Sequence, residues 1–268
     1  MAGSGSDLKS IVDRIVDLPT LPQVVSTLMS LLASPHSSAR DVNEVMSNDP
    51  ALVAKILKLV NSAFYGLPNR VTSIQQAITI LGFNTIKALA ISASVFDLFG
   101  ESEGAFSYEG FWKHSVGTAT VSRFLVSRIG GANGDTAFVV GLLHGLGKLI
   151  LDQYAPTEFQ AILKAGAAKS LPFAEAEKQV IQTSYAEVGY WLAKKWQMAE
   201  EVQFAILHQN RIAACPEAHR PVAAALAFAA YICRARNYGS NGDFDKPAAP
   251  RDAWEVLRIP REELPAMI

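Results

Sequence analysis

An imidazole and a neighbouring carboxylate are side chains that can together hold a divalent metal. This chain has the imidazole without the carboxylate, in Gly141-Leu142-Leu143-His144-Gly145-Leu146-Gly147-Lys148. Gly145 offers no ligand, so metal-dependent phosphate-ester chemistry is the chemistry these residues argue against. Lys148 stands one turn after His144 on the same helix face, where its ammonium could hold a phosphate or a carboxylate; it could equally be a solvated helix end paired with Asp152 four residues on. Trp191 and Trp196 bracket Lys194 and Lys195, a mixture that can stack bases, although a lysine pair on a solvated face is the commoner meaning.

These side chains need a scaffold, and the composition supplies one. Half of the 268 residues are apolar, enough for one large core or two smaller ones. Lys and Arg number 24 against 25 Asp and Glu, a net charge of −1, so no global field draws the chain to nucleic acid or anionic lipid. Cys215 and Cys233 read as small apolar packers, and with no secretory segment the expected location is the reduced cytoplasm. The longest strongly apolar uncharged run, Pro221 to Cys233, falls short of the ~20 residues of a membrane span. It is expected as a buried helix, with no membrane partner. Residues 1–17 are expected as a leader and first helix, the opening Met1 to Ser6 being flexible.

Periodicity and caps point to an all-α chain. Apolar residues recur at helical spacing through Gln23 to Leu32, and Asp49-Pro50 places a cap and a first-turn proline before Ala51 to Val60. Ser38 with Asp41, Ser73 with Gln76 and Ser184 with Glu187 are capping signatures. Gly82 stops one helix, and Asn84 can cap Thr85 to Phe99, whose face is Ile86, Leu89, Ala90, Ala93 and Phe96. The Gly- and Ser-rich stretch from Gly100 to Gly110 divides an N-terminal lobe, 18–100, from a second lobe, 107–268. In the second lobe helices are expected at about Phe111 to Ile129, Asp135 to Tyr154, Thr157 to Ala168, Phe173 to Gln182, Tyr185 to Trp196, Ala199 to Gln209, Pro221 to Arg236 and Asp252 to Arg258, with a loop from Asn237 to Pro250.

Two sets of motifs carry a family resemblance. One is Leu18-Pro19-Thr20-Leu21-Pro22, Asn48-Asp49-Pro50-Ala51-Leu52, Asn61-Ser62-Ala63-Phe64-Tyr65-Gly66 and Ala77 to Gly82; the other is Phe111-Trp112-Lys113-His114-Ser115, Gly141 to Lys148 and Ala186-Glu187-Val188-Gly189. Over roughly Leu18 to Arg236 the chain resembles the HDOD domain, the HD-related output domain of bacterial signalling proteins. The resemblance implies a multi-helical fold, an N-terminal helical lobe packed on a C-terminal HD-like lobe, and a regulatory role. It also makes His114, His144, Gly145, Lys148 and His208 the counterparts of an HD site, and Asn61, Ser62, Phe64 and Tyr65 a contact between lobes or with a partner, where local turn chemistry explains most of that stretch.

The departures from the HD pattern decide its chemistry. His114 and His144 match the two histidines, but Gly145 replaces the paired Asp. The later Asp is expected to be absent, because Glu217 is the sole acid from Val202 to Gly242 and sits beside Pro216 in a loop. Tyr185 stands where relatives often have a His, and His208-Gln209 keeps one His of a pair. His114, His144 and His208 together would be all nitrogen, unsuited to Mg²⁺ or Mn²⁺, although three imidazoles could hold Zn²⁺. The expectation is a pseudoenzyme with relic histidines and no cofactor.

The leading functional reading is a non-catalytic signalling module that binds a signalling protein or a nucleotide second messenger. A chain of this length is expected to receive its signal through a partner rather than through its own receiver domain. Second stands a metal-dependent phosphohydrolase or phosphodiesterase. Third is a DNA-binding regulator, since Ser73 to Ala93 reads helix, Gly-centred turn, helix. Lys87 is the sole Lys or Arg from Val71 to Glu109, too few cations to neutralise phosphates. Electrophoretic shifts at physiological salt are expected to show weak, sequence-independent DNA binding at most; a sequence-specific complex abolished by changes at Asn84 to Lys87 would overturn that.

Overall fold

The computed structural model describes residues 23–33, 38–47, 49–62, 65–99, 107–130 and 132–263. Among them the chain is helices and loops with no strand, an all-α fold, in two compact units that meet in sequence around Gly100 and Glu101. The stretch 100–106, residues 1–22 with the Leu18 to Pro22 motif, and Phe64 lie outside the described residues.

In the first unit, α1 (Gln23–Ala33), α2 (Ala39–Ser47), α3 (Pro50–Val60), α4 (Ile74–Leu81) and α5 (Phe83–Phe99) follow one another through short loops. Their ends are set by the capping residues. The Asp49 carboxylate accepts from the Leu52 N–H at 3.0 Å, with Pro50 in the first turn where its missing N–H costs nothing. The Ser73 hydroxyl accepts from the Gln76 N–H at 3.2 Å. Helix α5 begins at Phe83, one residue before the expected cap Asn84, because Gly82 at φ +85° already turns the chain. Ile86, Leu89, Ala90 and Ala93 are buried, as the helical face requires, while the Phe96 side chain lies outside the described residues.

Two polar residues of this unit are spent on structure. Asn61 donates its amide to the carbonyls of Leu57 (2.7 Å) and Val71 (2.8 Å) and accepts from the Val71 N–H (2.7 Å), tying the end of α3 to the loop before α4. Lys87 is 1% exposed; its ammonium donates to the Leu31 carbonyl at 2.9 Å and lies 4.0 Å from the Phe83 ring centre. The single cation of the helix–turn–helix is therefore turned inward, away from any phosphate.

The second unit contains α6 (Tyr108–Ile129), α7 (Gly134–Leu143), α8 (Leu146–Tyr154), α9 (Pro156–Lys169), the single turn α10 (Phe173–Ala176), α11 (Tyr185–Lys195), α12 (Glu200–His208), α13 (Arg220–Ala235) and α14 (Arg251–Leu257). Helix α6 is the central element, packed on both α7 and α13. The expected helix from Asp135 to Tyr154 is two helices, broken by a turn at His144 and Gly145. That break gives His144 a position at a helix junction rather than inside a helix. The expected helix from Phe173 to Gln182 is the single turn α10 followed by a 3-10 turn at Glu177–Gln179, which brings Glu177 inward.

Gly134–Tyr154, which spans α7 and α8, is the one described stretch long and apolar enough to cross a membrane, and 78% of its most apolar window is buried within the fold. Its hydrophobicity is used as core. The apolar run in α13 is likewise buried, with Val222 to Leu226 at 0% exposure.

Candidate functional site

Close backbone contacts bring the polar residues of the second unit together. At Gly141 a Cβ would lie 2.3 Å from the Ala119 Cα, so α6 and α7 touch backbone to backbone. At Gly147 a Cβ would lie 1.8 Å from the Tyr185 carbonyl oxygen, which seats α8 on the start of α11. His114 of α6 and His144 at the α7–α8 junction then face each other with ring centres 5.5 Å apart, both almost fully buried. His144 Nδ1 donates to the Gly141 carbonyl at 2.7 Å, because a carbonyl can only accept. His114 Nε2 lies 3.4 Å from the Thr118 hydroxyl.

Lys148 occupies the centre and corrects the expectation of a solvated helix end. Its side chain is 3% exposed, its ammonium donates to the Asn241 carbonyl at 2.6 Å, and the Asp243 carboxylate lies 3.9 Å away. The ring centres of Phe173 and Tyr185 are 4.6 and 4.7 Å from the same nitrogen, a cation–π pair of walls. Asp152 does not pair with it; that carboxylate accepts from the Tyr108 hydroxyl at 2.9 Å.

Asp243 is the acid the sequence reading missed. It lies one residue beyond Gly242, in the segment Asn237 to Pro250 that the sequence marks only as a loop. In the fold that loop lies along α6. The Ser240 N–H donates to the Gly110 carbonyl at 2.8 Å, and Gly239, at φ +74°, passes where a Cβ would meet that carbonyl and the His114 N–H. Asp243 then accepts from the Phe173 N–H (2.6 Å) and the Asn241 amide (2.6 Å) and forms an ion pair with Arg234 Nε (3.2 Å), while Arg234 also pairs with Asp245. An Asn-Gly-Asp turn was the available signal, and nothing local says where such a turn folds back.

The other expected residues divide. Gly145 belongs to the site, but a Cβ there would lie 2.3 Å from the Phe111 ring, so the aromatic fills the room an aspartate would take. His208 does not join His114 and His144, which corrects the three-histidine set: it is half-buried and stacks on Phe204, whose ring also lies against Tyr190 and His219. Its neighbour Gln209 points inward instead, donating to the His144 carbonyl at 3.0 Å and accepting from the Tyr185 hydroxyl at 3.3 Å. A helix turns about 100° per residue, so the two neighbouring side chains leave in different directions. Glu217 is exposed in a 3-10 turn. In the first unit Asn61 is the brace described above, and Ser62 and Tyr65 flank it, half-buried.

A family model for the HDOD domain matches residues 18–212. The chain belongs to the HDOD family. The match ends at Ile212, short of the Arg236 expected from the motifs, so Arg234, Asn241 and Asp243 lie beyond it. Among solved structures, this HDOD domain is similar to an HDOD domain protein of unknown function from Geobacter sulfurreducens, at 27% identity over 94% of this chain and 87% of the other, with a TM-score of 0.80. It is similar also to a protein from Shewanella amazonensis SB2B provisionally named a phosphohydrolase, at 25% identity over 93% of each chain and a TM-score of 0.72. An uncharacterized protein from Treponema pallidum (strain Nichols) is 26% identical over 259 residues, covering 95% of this chain. The chain spans 48% of that curated relative's length.

Electrostatics set the protonation states of the HDOD site. Burial lowers both histidines, His144 to about 4, and the neighbouring Lys148 charge adds to the effect, so both are neutral at physiological pH. Burial would raise the Asp243 carboxyl, but the Lys148 and Arg234 charges, the Phe173 N–H and the Asn241 amide outweigh it and hold it below the ordinary value. Burial lowers the Lys148 ammonium, opposed by the charges of Asp243 and Glu177. Glu177, 1% exposed, is raised to about 8 by burial against the Tyr185 N–H it accepts at 2.8 Å.

These residues do not fit a divalent metal. His144 spends Nδ1 on a carbonyl, Gly145 has no donor, and the Asp243 carboxylate is already shared among Lys148, Arg234, Asn241 and the Phe173 N–H. Among the described residues no group of three or more His, Cys, Asp or Glu is arranged to hold an ion.

Gly145→Asp is expected to leave phosphodiesterase activity at background and to lower the urea-unfolding free energy by about 1–3 kcal/mol, because the new side chain meets Phe111. Metal-dependent turnover in that variant would contradict the reading. Asp243→Ala is expected to cost about 3–5 kcal/mol by stranding the Lys148 charge, and the double variant Lys148→Met/Asp243→Leu to recover most of it. A double-mutant cycle by denaturant titration measures both.

The pH dependence follows from Glu177. Folded, it keeps its proton up to about pH 8; unfolded, it loses it near its ordinary value of 4.5, so the folded state binds more protons and stability falls as pH rises through that window. The histidines act in the opposite direction below pH 6.5, since their lowered values cost stability as pH falls. Between pH 6.5 and 8 Glu177 is expected to dominate, with a loss of about 1–2 kcal/mol that is absent in Glu177→Gln.

Proposed function

We infer that this HDOD domain is a non-catalytic signalling module that works by binding a protein partner. The observation that carries the reading is the chemistry at the HD position: the Phe111 ring takes the room of the missing aspartate, and the central cation is an ammonium already paired with a carboxylate of the same chain. Among the described residues no group of three or more His, Cys, Asp or Glu is arranged there to hold a metal ion. A cyclic dinucleotide is disfavoured by size, since the adjoining cavity is about 200 Å³, below the roughly 300–1,000 Å³ of pockets that enclose drug-sized ligands. The name of the Shewanella protein belongs to that protein. A cytoplasmic setting is in keeping with Cys215 and Cys233, both buried free thiols.

Elemental analysis of the purified protein, beside assays with cyclic dinucleotides and a phosphomonoester under Mg²⁺ and Mn²⁺, is expected to show no stoichiometric metal and no turnover. One tightly held ion per chain, lost together with activity in His114→Ala, would sink the non-catalytic reading. Affinity capture followed by reciprocal capture of the same protein tests the partner.

A further inference from the structure

A cavity of about 200 Å³ adjoins His144, between Tyr185 and Gln209 on one side and the α13 face carrying Ala227, Ala230 and Tyr231 on the other. His144 is 4% exposed and lines this cavity. Its Nδ1 carries the proton given to the Gly141 carbonyl, so Nε2 is a bare lone pair, and it makes no hydrogen bond to any described residue. Lining the cavity, this acceptor is open to a donor placed there.

The charges on the walls decide what kind of molecule fits. Two cations, Lys148 and Arg234, stand against two carboxylates, Asp243 and Asp252. Each is engaged: Lys148 and Arg234 by Asp243, and Asp252 by the Ile212 N–H at 3.1 Å. A charged ligand would have to break one of these pairs in a site with no net charge to offset the loss. Lys148 and Arg234 retain further N–H donors that can meet a neutral acceptor, since an ammonium carries three and a guanidinium five. At about 30 Å³ per water, the space equals roughly seven waters, the scale of a small organic molecule.

We propose that this cavity binds a small neutral molecule bearing both a hydrogen-bond donor and an acceptor, an amide or a lactam, with its N–H on His144 Nε2 and its carbonyl on Lys148 or Arg234. The proposal rests on the reading of this site as non-catalytic, and it gives the module a small-molecule input beside its partner. Small side chains at Ala227 and Ala230 keep the space open.

The test is titration of the full ¹⁵N-histidine-labelled chain, in chelator, with nicotinamide as a free amide and uracil as a nucleobase lactam. Phosphate, acetate and guanidinium are the charged arms. The expected result is a saturable upfield shift of the His144 Nε2 resonance with one or both neutral probes, distinguishing the two sources, and none with the ions. Ala230→Leu, which fills the cavity from a half-buried position, is expected to weaken that binding about tenfold or more, and Ala227→Leu serves if the first variant does not fold. The proposal is overturned if neither neutral probe moves His144, if an ion moves it instead, or if the filled variants bind as well as the parent. Because occupancy is read without turnover, metal-dependent hydrolysis in the separate assay would remove the non-catalytic reading and leave this result standing.

Discussion

Lys148 carries a full positive charge into a place that is 3% exposed, where an unpaired charge costs several kcal/mol. What surrounds it answers that cost. The Asn241 carbonyl, the Asp243 carboxylate and the faces of Phe173 and Tyr185 arrive from a loop, a helical turn and the start of a helix. Asp243 in turn draws in Arg234, and Arg234 draws in Asp245. The loop after α13 is thus held by these charges together with the Ser240 bond to the Gly110 carbonyl and the Tyr238 ring against Gly117, while Phe244 is left 44% exposed.

The same ion pair bears on the charge of the histidines. Two imidazoles at 5.5 Å would repel each other if charged, and the adjacent ammonium makes protonation harder still. Held neutral, they act as polar core residues: one bonded to a carbonyl, the other within reach of a threonine hydroxyl.

Tight backbone contact is the second constraint. Gly141 against Ala119 and Gly147 against the Tyr185 carbonyl set helix positions so closely that one added methyl group would displace an element, and Gly145 leaves room for Phe111 in the same way. Each glycine of the Gly141 to Gly147 segment therefore has a steric neighbour that accounts for it. None of these neighbours is close in sequence.

Helix positions and caps were legible in the sequence because they rest on local physics. The carboxylate of Asp49 meets an N–H three residues away, and the apolar period of α5 is visible in any window. The spaced motifs identified the family, and the missing aspartate at Gly145 was plain. Beyond that reach the sequence was silent or misleading. Lys148 looked as much like a surface lysine as a core one, since an i,i+4 acid is found beside both. His208 rather than Gln209 looked like the inward residue, because the rotation of α12 is set by what it packs against. Asp243 was invisible since its partner Lys148 lies 95 residues earlier in the chain, and only the docking of the loop on α6 brings carboxylate and ammonium together. Charge pairing in a low-dielectric interior depends on distance in space, which is the quantity that tertiary structure, and not residue order, decides.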